Sequence, residues 1–250
     1  MKAIIDWNQK KWEINLAKPL DLSISMQNGA ANPNAFGIAA PRFEYYQFGN
    51  FELSVANGSG ANCENLHINA HGNGTHTECI GHITPERMSI NSCLSKYHFI
   101  GQVISLEPVR TNNGDWIISA NGVEEILAEN IEALLIRSLP NTAAKLLQVY
   151  SGNNPVYLDP ALCALLAQRN IAHLLVDVPS VDREEDSGDM LAHKAFWQYP
   201  ENPRRHASIS EMVFIPDAVA DGIYFLNIQI TALETDASPS KPVLYQMEAV

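Results

Sequence analysis

The sequence predicts an α/β fold with a mixed β-sheet and few helices, on three observations. Strand-like runs are scattered along the whole chain of 250 residues, and helical periodicity is confined to three short stretches. In the second half, one helical pattern leads directly into an apolar run suited to a buried parallel strand. An apolar fraction of 46% is ordinary for a globular chain with a sizeable core, so a single domain over residues 1–250 is expected.

Each element has its own signal. Leu20 to Ser25 (LDLSIS) alternates apolar and polar side chains and reads as a strand. Residues 27–50, rich in Gly, Asn, Pro and Ala, predict a long loop with a short strand around Phe43 to Phe48. A loop that long in a compact domain points to function. Phe51 to Ala56 and Leu66 to Ala70 read as strands leading into a histidine-rich run, and Gly101 to Glu107 and Ala133 to Arg137 as later sheet strands. Gly122-Val-Glu-Glu-Ile-Leu-Ala-Glu between them reads as a short helix. Asp159 can cap a helix with Pro160 in its first position and Leu162, Leu165 and Leu166 on its apolar face, running to about Gln168. That helix feeds the strand Ala172 to Asp177. Asp189 to Trp197 predicts a further helix carrying His193, and Gly222 to Ala232 a long terminal strand.

Composition narrows the function classes. A net charge of −12 opposes broad attraction to nucleic acid or anionic membranes, and Arg204-Arg205 is merely a pair. A small molecule is the expected partner. Cys63, Cys79, Cys93 and Cys163 form no CxxC pair, and four cysteines do not make a disulfide scaffold in a chain this long. Reduced thiols in a cytoplasm are the default. The N-terminus lacks a secretory h-region, and no run of eighteen apolar residues follows, so no membrane segment is expected.

The chemistry gathers in one place. Half of the eight histidines fall between His67 and His82, in the run His71-Gly-Asn-Gly-Thr-His76-Thr-Glu78-Cys-Ile-Gly-His82. Imidazole nitrogen and carboxylate oxygen are ligands for zinc and similar divalent ions, and alternate residues of an extended chain point to one side. His76 and Glu78 are therefore natural co-ligands, while His193 and Glu211 are candidates from the second half. The alternative is a polar strand end whose imidazoles bond to backbone carbonyls. His67, His98, His173 and His206 read as ordinary core or surface residues. A zincin is excluded because its His-Glu-x-x-His must lie on a helix, and here glycines take that place. Ser59 and Ser151 lack a nucleophile elbow, and Cys79 reads as a residue packed beside the site.

These residues resemble the cyclase family of metal-dependent hydrolases, which includes bacterial kynurenine formamidases and isatin hydrolases. The family signature is His-x-Gly-Thr-His-x-Asp-x-Pro-x-His. Gly74-Thr75-His76 and His82 match it in place, Glu78 stands for Asp and Ile80 for Pro, and the first His falls on Gly72, one residue after His71. Asp21-Leu-Ser, Asp177-Val-Pro-Ser-Val-Asp182, Ala192-His193, Glu211 and Asp236-Ala-Ser-Pro239 resemble further family segments in the same order.

The resemblance implies a swivelling β/β/α cyclase-like fold assembled as a dimer, tetramer or other homo-oligomer. It implies one divalent ion on His71, His76 and Glu78, and a second on Glu78, His193 and Glu211, with Zn²⁺ as the expected metal and Mn²⁺ the alternative. His82 would be the general base or a further ligand. The implied activity is arylformamidase-like cleavage of a C–N bond in a small aryl formamide, amide or lactam by metal-activated water. Two other classes stay open: a member that binds metal or ligand without hydrolysis, and a purely structural protein. Phe36, Tyr45, Tyr46, Phe48 and Trp197 are candidates for an apolar substrate pocket. In an extended chain, His71 and His76 would face opposite ways. An irregular, bulged or looped backbone at Gly72 to Gly74 is therefore predicted to return His71 to the site as the missing first ligand. The competing outcome is a regular backbone that aims His71 away and leaves its place to water or Asn73.

Overall fold

Ala133–Ser138 (ALLIRS) and His173–Val176 (HLLV) are buried along their whole length, as strands covered on both faces must be. The computed structural model, which describes residues 1–250, shows why. Alternate side chains of these strands enter two different cores. Ala133, Leu135 and Leu175 join Phe99, Val103, Leu226 and Leu244 in one core, enclosed by the sheet. Leu134, Ile136, Leu174 and Val176 join the other, against Leu162 and Leu166 of one helix and Ala192, Phe196 and Trp197 of another.

The sheet closes on itself. Its order is Ala237–Ala249, Gly222–Ile230, His98–Leu106, Ala133–Ser138, His173–Val176, Ser208–Glu211 and His76–Cys79, which pairs again with Ala237–Ala249. This is a seven-stranded mixed barrel. The four strands from His98–Leu106 to Ser208–Glu211 are mutually parallel. The histidine strand is antiparallel to both neighbours and forms the seam. At the far end of Ala237–Ala249, the hairpin Lys2–Trp7/Lys10–Asn15 extends the same sheet, so both ends of the chain meet in it.

Several elements fall where the sequence predicts them. The helix Pro160–Gln168 begins at Pro160, with Asp159 accepting from the Ala161 N–H. The strands Ala133–Ser138, His173–Val176 and Gly222–Ile230 lie within a residue or two of expectation. Others differ for local reasons. The predicted strand Leu20 to Ser25 stops at Asp21, whose carboxylate turns back to the Ser23 N–H and hydroxyl at 3.0 and 2.6 Å. Phe51 to Ala56 is a strand only at Phe51–Glu52, then a 3-10 turn closed by left-handed Gly58. Leu66 to Ala70 gives way to a strand Glu64–His67 and a helical turn Ala70–Asn73.

Between these pieces, Arg42–Tyr45 pairs with Glu64–His67, and Gln47–Phe48 with Phe51–Glu52, forming an outlying arm. No helix is long and apolar enough to cross a membrane.

Candidate metal centre

The histidine strand sits between the two cores and splits its side chains. Thr77 and Cys79 turn inward: the Thr77 hydroxyl meets that of Ser210 at 2.7 Å, and Cys79 packs in the enclosed core. The neighbouring Cys93 thiol and burial push the Cys79 pKa far up, which removes it as a nucleophile. His76 and Glu78 point the other way. In the antiparallel register, Glu211 lies opposite His76 and Ile209 opposite Glu78, so the strand Ser208–Glu211 adds a second carboxylate to that face.

His193 comes from the helix Leu191–Trp197 packed over it. Asp182 accepts the N–H groups of Ala192 and His193 at that helix's start, and takes His193 Nδ1 at 2.6 Å. His82 ends the 3-10 turn Ile80–His82, where a Cβ on Gly81 would collide with the Met88 carbonyl.

His71 reaches the site by the irregular backbone that its register demands. Asn69 caps the single helical turn Ala70–Asn73, accepting from the Gly72 N–H, and the turn swings His71 to face Glu78. Gly72 matters for close approach rather than for an unusual φ. A Cβ there would stand 2.6 Å from Ile38 Cδ1 and 3.1 Å from the Ala35 carbonyl oxygen. Asn73 is turned away, accepting from the Asn69 N–H and donating to Ala39 O.

All six residues anticipated from the sequence therefore meet. His71 Nδ1 lies 3.2 Å from Glu78 Oε2, His193 Nε2 3.0 Å from Glu78 Oε1, and His76 Nε2 3.3 Å from Glu211 Oε2. Glu211 leans to His76. Its Oε1 accepts the Val181 N–H and stays 3.8 Å from His193. His82 Nδ1 is 3.9 Å from Glu78 Oε2. His76, Glu78, His193 and Glu211 are buried, while His71 and His82 are half-buried at the edge.

One pattern recurs. His76 spends its Nδ1–H on the Gly74 carbonyl at 3.0 Å, and His193 spends its own on Asp182, so a lone pair on each remaining nitrogen faces a carboxylate. His76 Nε2 and Glu78 Oε2 are buried with no hydrogen-bond partner despite these short contacts. Acceptors held face to face require a cation between them, and the N/O donor set fits a divalent ion. Three groups have their donor atoms within 4.8 Å of one another: His71/His76/Glu78, Glu78/His82/His193 and, at the edge, His71/His82/Asp236.

In the metal-free chain, a proton takes that place at His193 and at His71. Burial would lower the His71 and His193 pKa values, but Asp236 and Glu78 outweigh it at His71, and Glu78 and Asp182 at His193, lifting each to about 10. Burial alone would raise the Glu78 pKa; His82 and His193 hold it well below the usual range.

Two residues at the site lay in quoted sequence segments without a role. Asp182 orients His193, and Asp236 contacts both His71 (3.0 Å) and His82 (3.2 Å). Their spacing, 54 residues apart and far from the histidine run, carries no signal until the barrel closes.

A cavity of about 320 Å³ opens beside the site, lined by Phe36, Ile38, Met190, His71, His82, Arg183 and others. Of the aromatic candidates only Phe36 lines it. Trp197 is core, its indole N–H bonded to Ala207 O, while Tyr45 and Phe48 lie on the arm and Tyr46 between its ribbons. A larger hollow of about 770 Å³ near Trp116 and Pro140 contains none of the histidines.

The comparisons with known proteins agree with this fold. Residues 15–183 match the family model Cyclase, described as "Putative cyclase". The chain belongs to the cyclase family. Among solved structures, a protein described as a "potential metal-dependent hydrolase with cyclase activity" superposes with a TM-score of 0.68 at 15% identity, over 92% of this chain and 98% of that one. Isatin hydrolase A from Labrenzia aggregata, bound to benzyl benzoate, gives 0.62 at 15% over 92% and 94%. Isatin hydrolase A from Ralstonia solanacearum gives 0.63 at 13% over 91% and 91%. At such identities the likeness establishes a shared fold, the cyclase-like one that the sequence motifs imply. No curated protein is significantly similar in sequence.

Proposed function

We propose that this cyclase-family chain is a metal-dependent hydrolase that cleaves the C–N bond of a small aryl formamide, amide or lactam. The observation that carries this is the buried cradle of unpaired acceptors, His76 Nε2 and Glu78 Oε2, beside a cavity that His82 also lines. His71, His76 and Glu78 would hold one divalent ion, and Glu78 with His193 and Glu211 a second. Zinc suits three imidazoles and two carboxylates best, with manganese as the alternative. When bound, such an ion supplies Lewis acidity and makes water acidic enough to ionise near neutral pH.

The protein groups do the rest. Gly74 and Asp182 fix the tautomers of His76 and His193, leaving their Nε2 atoms to act as ligands. His82, at the cavity edge, accepts a proton from the attacking water and returns it to the leaving nitrogen. Phe36, Ile38 and Met190 offer an apolar wall to an aryl group. The related isatin hydrolases act, by name, on a ring of that kind. With four free cysteines, we place this work in the cytoplasm, in an assembly of two or four chains.

Turnover of formanilide and of isatin by zinc-loaded and by exhaustively chelated protein tests the reading. Loss of turnover on chelation and its return with Zn²⁺ or Mn²⁺ are expected. A loaded protein that retains stoichiometric metal and hydrolyses neither compound would instead be a binding member of the family.

A further inference from the structure

Asp236 stands at the barrel seam, one residue before the strand Ala237–Ala249. Its carbonyl accepts the Cys79 N–H at 2.9 Å, and the next residue, Ala237, pairs with Glu78. Seam register therefore fixes this carboxylate beside the histidine strand. A single oxygen, Oδ2, meets His71 Nε2 at 3.0 Å and His82 Nδ1 at 3.2 Å. The two rings lie 4.3 Å apart, with their planes inclined by 30°.

A carboxylate oxygen only accepts, so both contacting nitrogens carry hydrogen. In the neutral imidazoles, the lone pairs then sit on His71 Nδ1, which faces Glu78, and on His82 Nε2, which has no partner in the protein. We propose that Asp236 is a positioning residue that sets the tautomer and direction of both imidazoles through this one oxygen. It aims His71 Nδ1 at the metal centre and His82 Nε2 at the substrate. The proposal rests on the hydrolase reading and adds to it a device coupling a ligand to the base. The competing role is direct: His71, His82 and Asp236 have donor atoms within 4.8 Å of one another and could themselves hold an ion.

Asp236→Asn and Asp236→Ala in the zinc-loaded protein separate these. The side chain is 38% exposed, so either variant should fold. At saturating Zn²⁺ the metal content should match that of wild type, with affinity weakened through His71, while kcat on formanilide should fall about 10- to 100-fold and KM should stay within about threefold. Added formate should partly restore kcat in D236A. Metal loss in step with kcat, an unchanged kcat, or a rise in KM alone would overturn the proposal. Histidine-ring ¹⁵N spectra provide a readout that needs no turnover: wild type should show His82 as the Nδ1–H tautomer and D236A should not. Identical spectra would overturn the proposal even in a chain that hydrolyses nothing, whereas a lost tautomer without turnover in wild type would overturn only the hydrolase reading.

Discussion

His76 is ready to bind an ion because Gly74 takes its other nitrogen. The 3.0 Å hydrogen bond from Nδ1 to the Gly74 carbonyl leaves Nε2 buried, unpaired and facing Glu211. His76→Ala should therefore lose metal and rate together. His82, held at the edge by Asp236, should lose rate while keeping most of the metal when replaced by Ala. Metal analysis beside kcat for the two variants checks both, and equal metal loss would make His82 a ligand. Gly72 has a different task. Ile38 Cδ1 and Cβ would stand 2.6 and 2.9 Å from an added Cβ, and Cβ cannot rotate away. Gly72→Ala should cost about 1–3 kcal/mol in denaturant unfolding and weaken metal binding through His71. Adding Ile38→Ala should recover much of both, and a lone G72A as stable as wild type would show that the turn yields freely. The missing signature histidine was legible as a register conflict, because odd spacing in an extended chain reverses a side chain. That a capped helical turn would resolve it was not, since AHGN carries no helical pattern.

The elements that build the barrel wall divide by how much apolar sequence they carry. ALLIRS and HLLV were readable because strands buried on both faces are apolar throughout. Ser208–Glu211 (SISE) is as buried as these yet polar, because one of its faces supplies Glu211 and the other places Ser210 against Thr77. The final strand Ala237–Ala249 contains Pro239 and Pro242, residues that argue against a strand until the seam is known. The Lys2–Asn15 hairpin turns at Asn8-Gln9, both with positive φ but without the glycine that marks such turns. His173, on a wall strand, has a consequence for stability. It packs 3.9 Å from the Phe99 ring and bonds to the Ser208 hydroxyl at 2.8 Å. Burial, then the charges of His206, Arg204 and Lys96, push its pKa down to about 3. The unfolded chain, near 6.5, takes up this proton more readily, so the contribution is whole above about pH 6.5 and drains away as pH falls toward 3. His71 and His193, raised to about 10 in the metal-free chain, act oppositely: their contribution is whole below about 6.5 and is lost as pH rises toward 10. In chelated protein, the drop in urea midpoint from pH 7 to pH 5 should be smaller in His173→Gln than in wild type. An equal drop would clear His173.

At the scale of the molecule, barrel closure makes the site. His76 and Glu78 on the seam strand meet Glu211 from one neighbouring strand, Asp236 from the entry to the other, and His193 from the helix above. Short motifs far apart in sequence thus become one surface. The same chain leaves another surface without cover. On the arm, Phe48 and Phe51 are 68% and 73% exposed and Leu66 is 58% exposed, although two-stranded ribbons this short are marginal on their own. Exposed apolar side chains on such short ribbons suit burial against another chain. We propose a second copy of this chain as the partner, in keeping with the assembly of two or four proposed above. A net charge of −12 per chain opposes that association at long range, and salt screens it. Light scattering should therefore find at least a dimer, held more tightly at 0.5 M than at 0.05 M salt. Phe48→Ser with Phe51→Ser should shift the equilibrium toward monomer while leaving the unfolding midpoint of the separated chain nearly unchanged, because neither ring packs in the barrel's cores. A wild-type chain that stays monomeric at every concentration and salt would leave the arm's exposed rings without this partner.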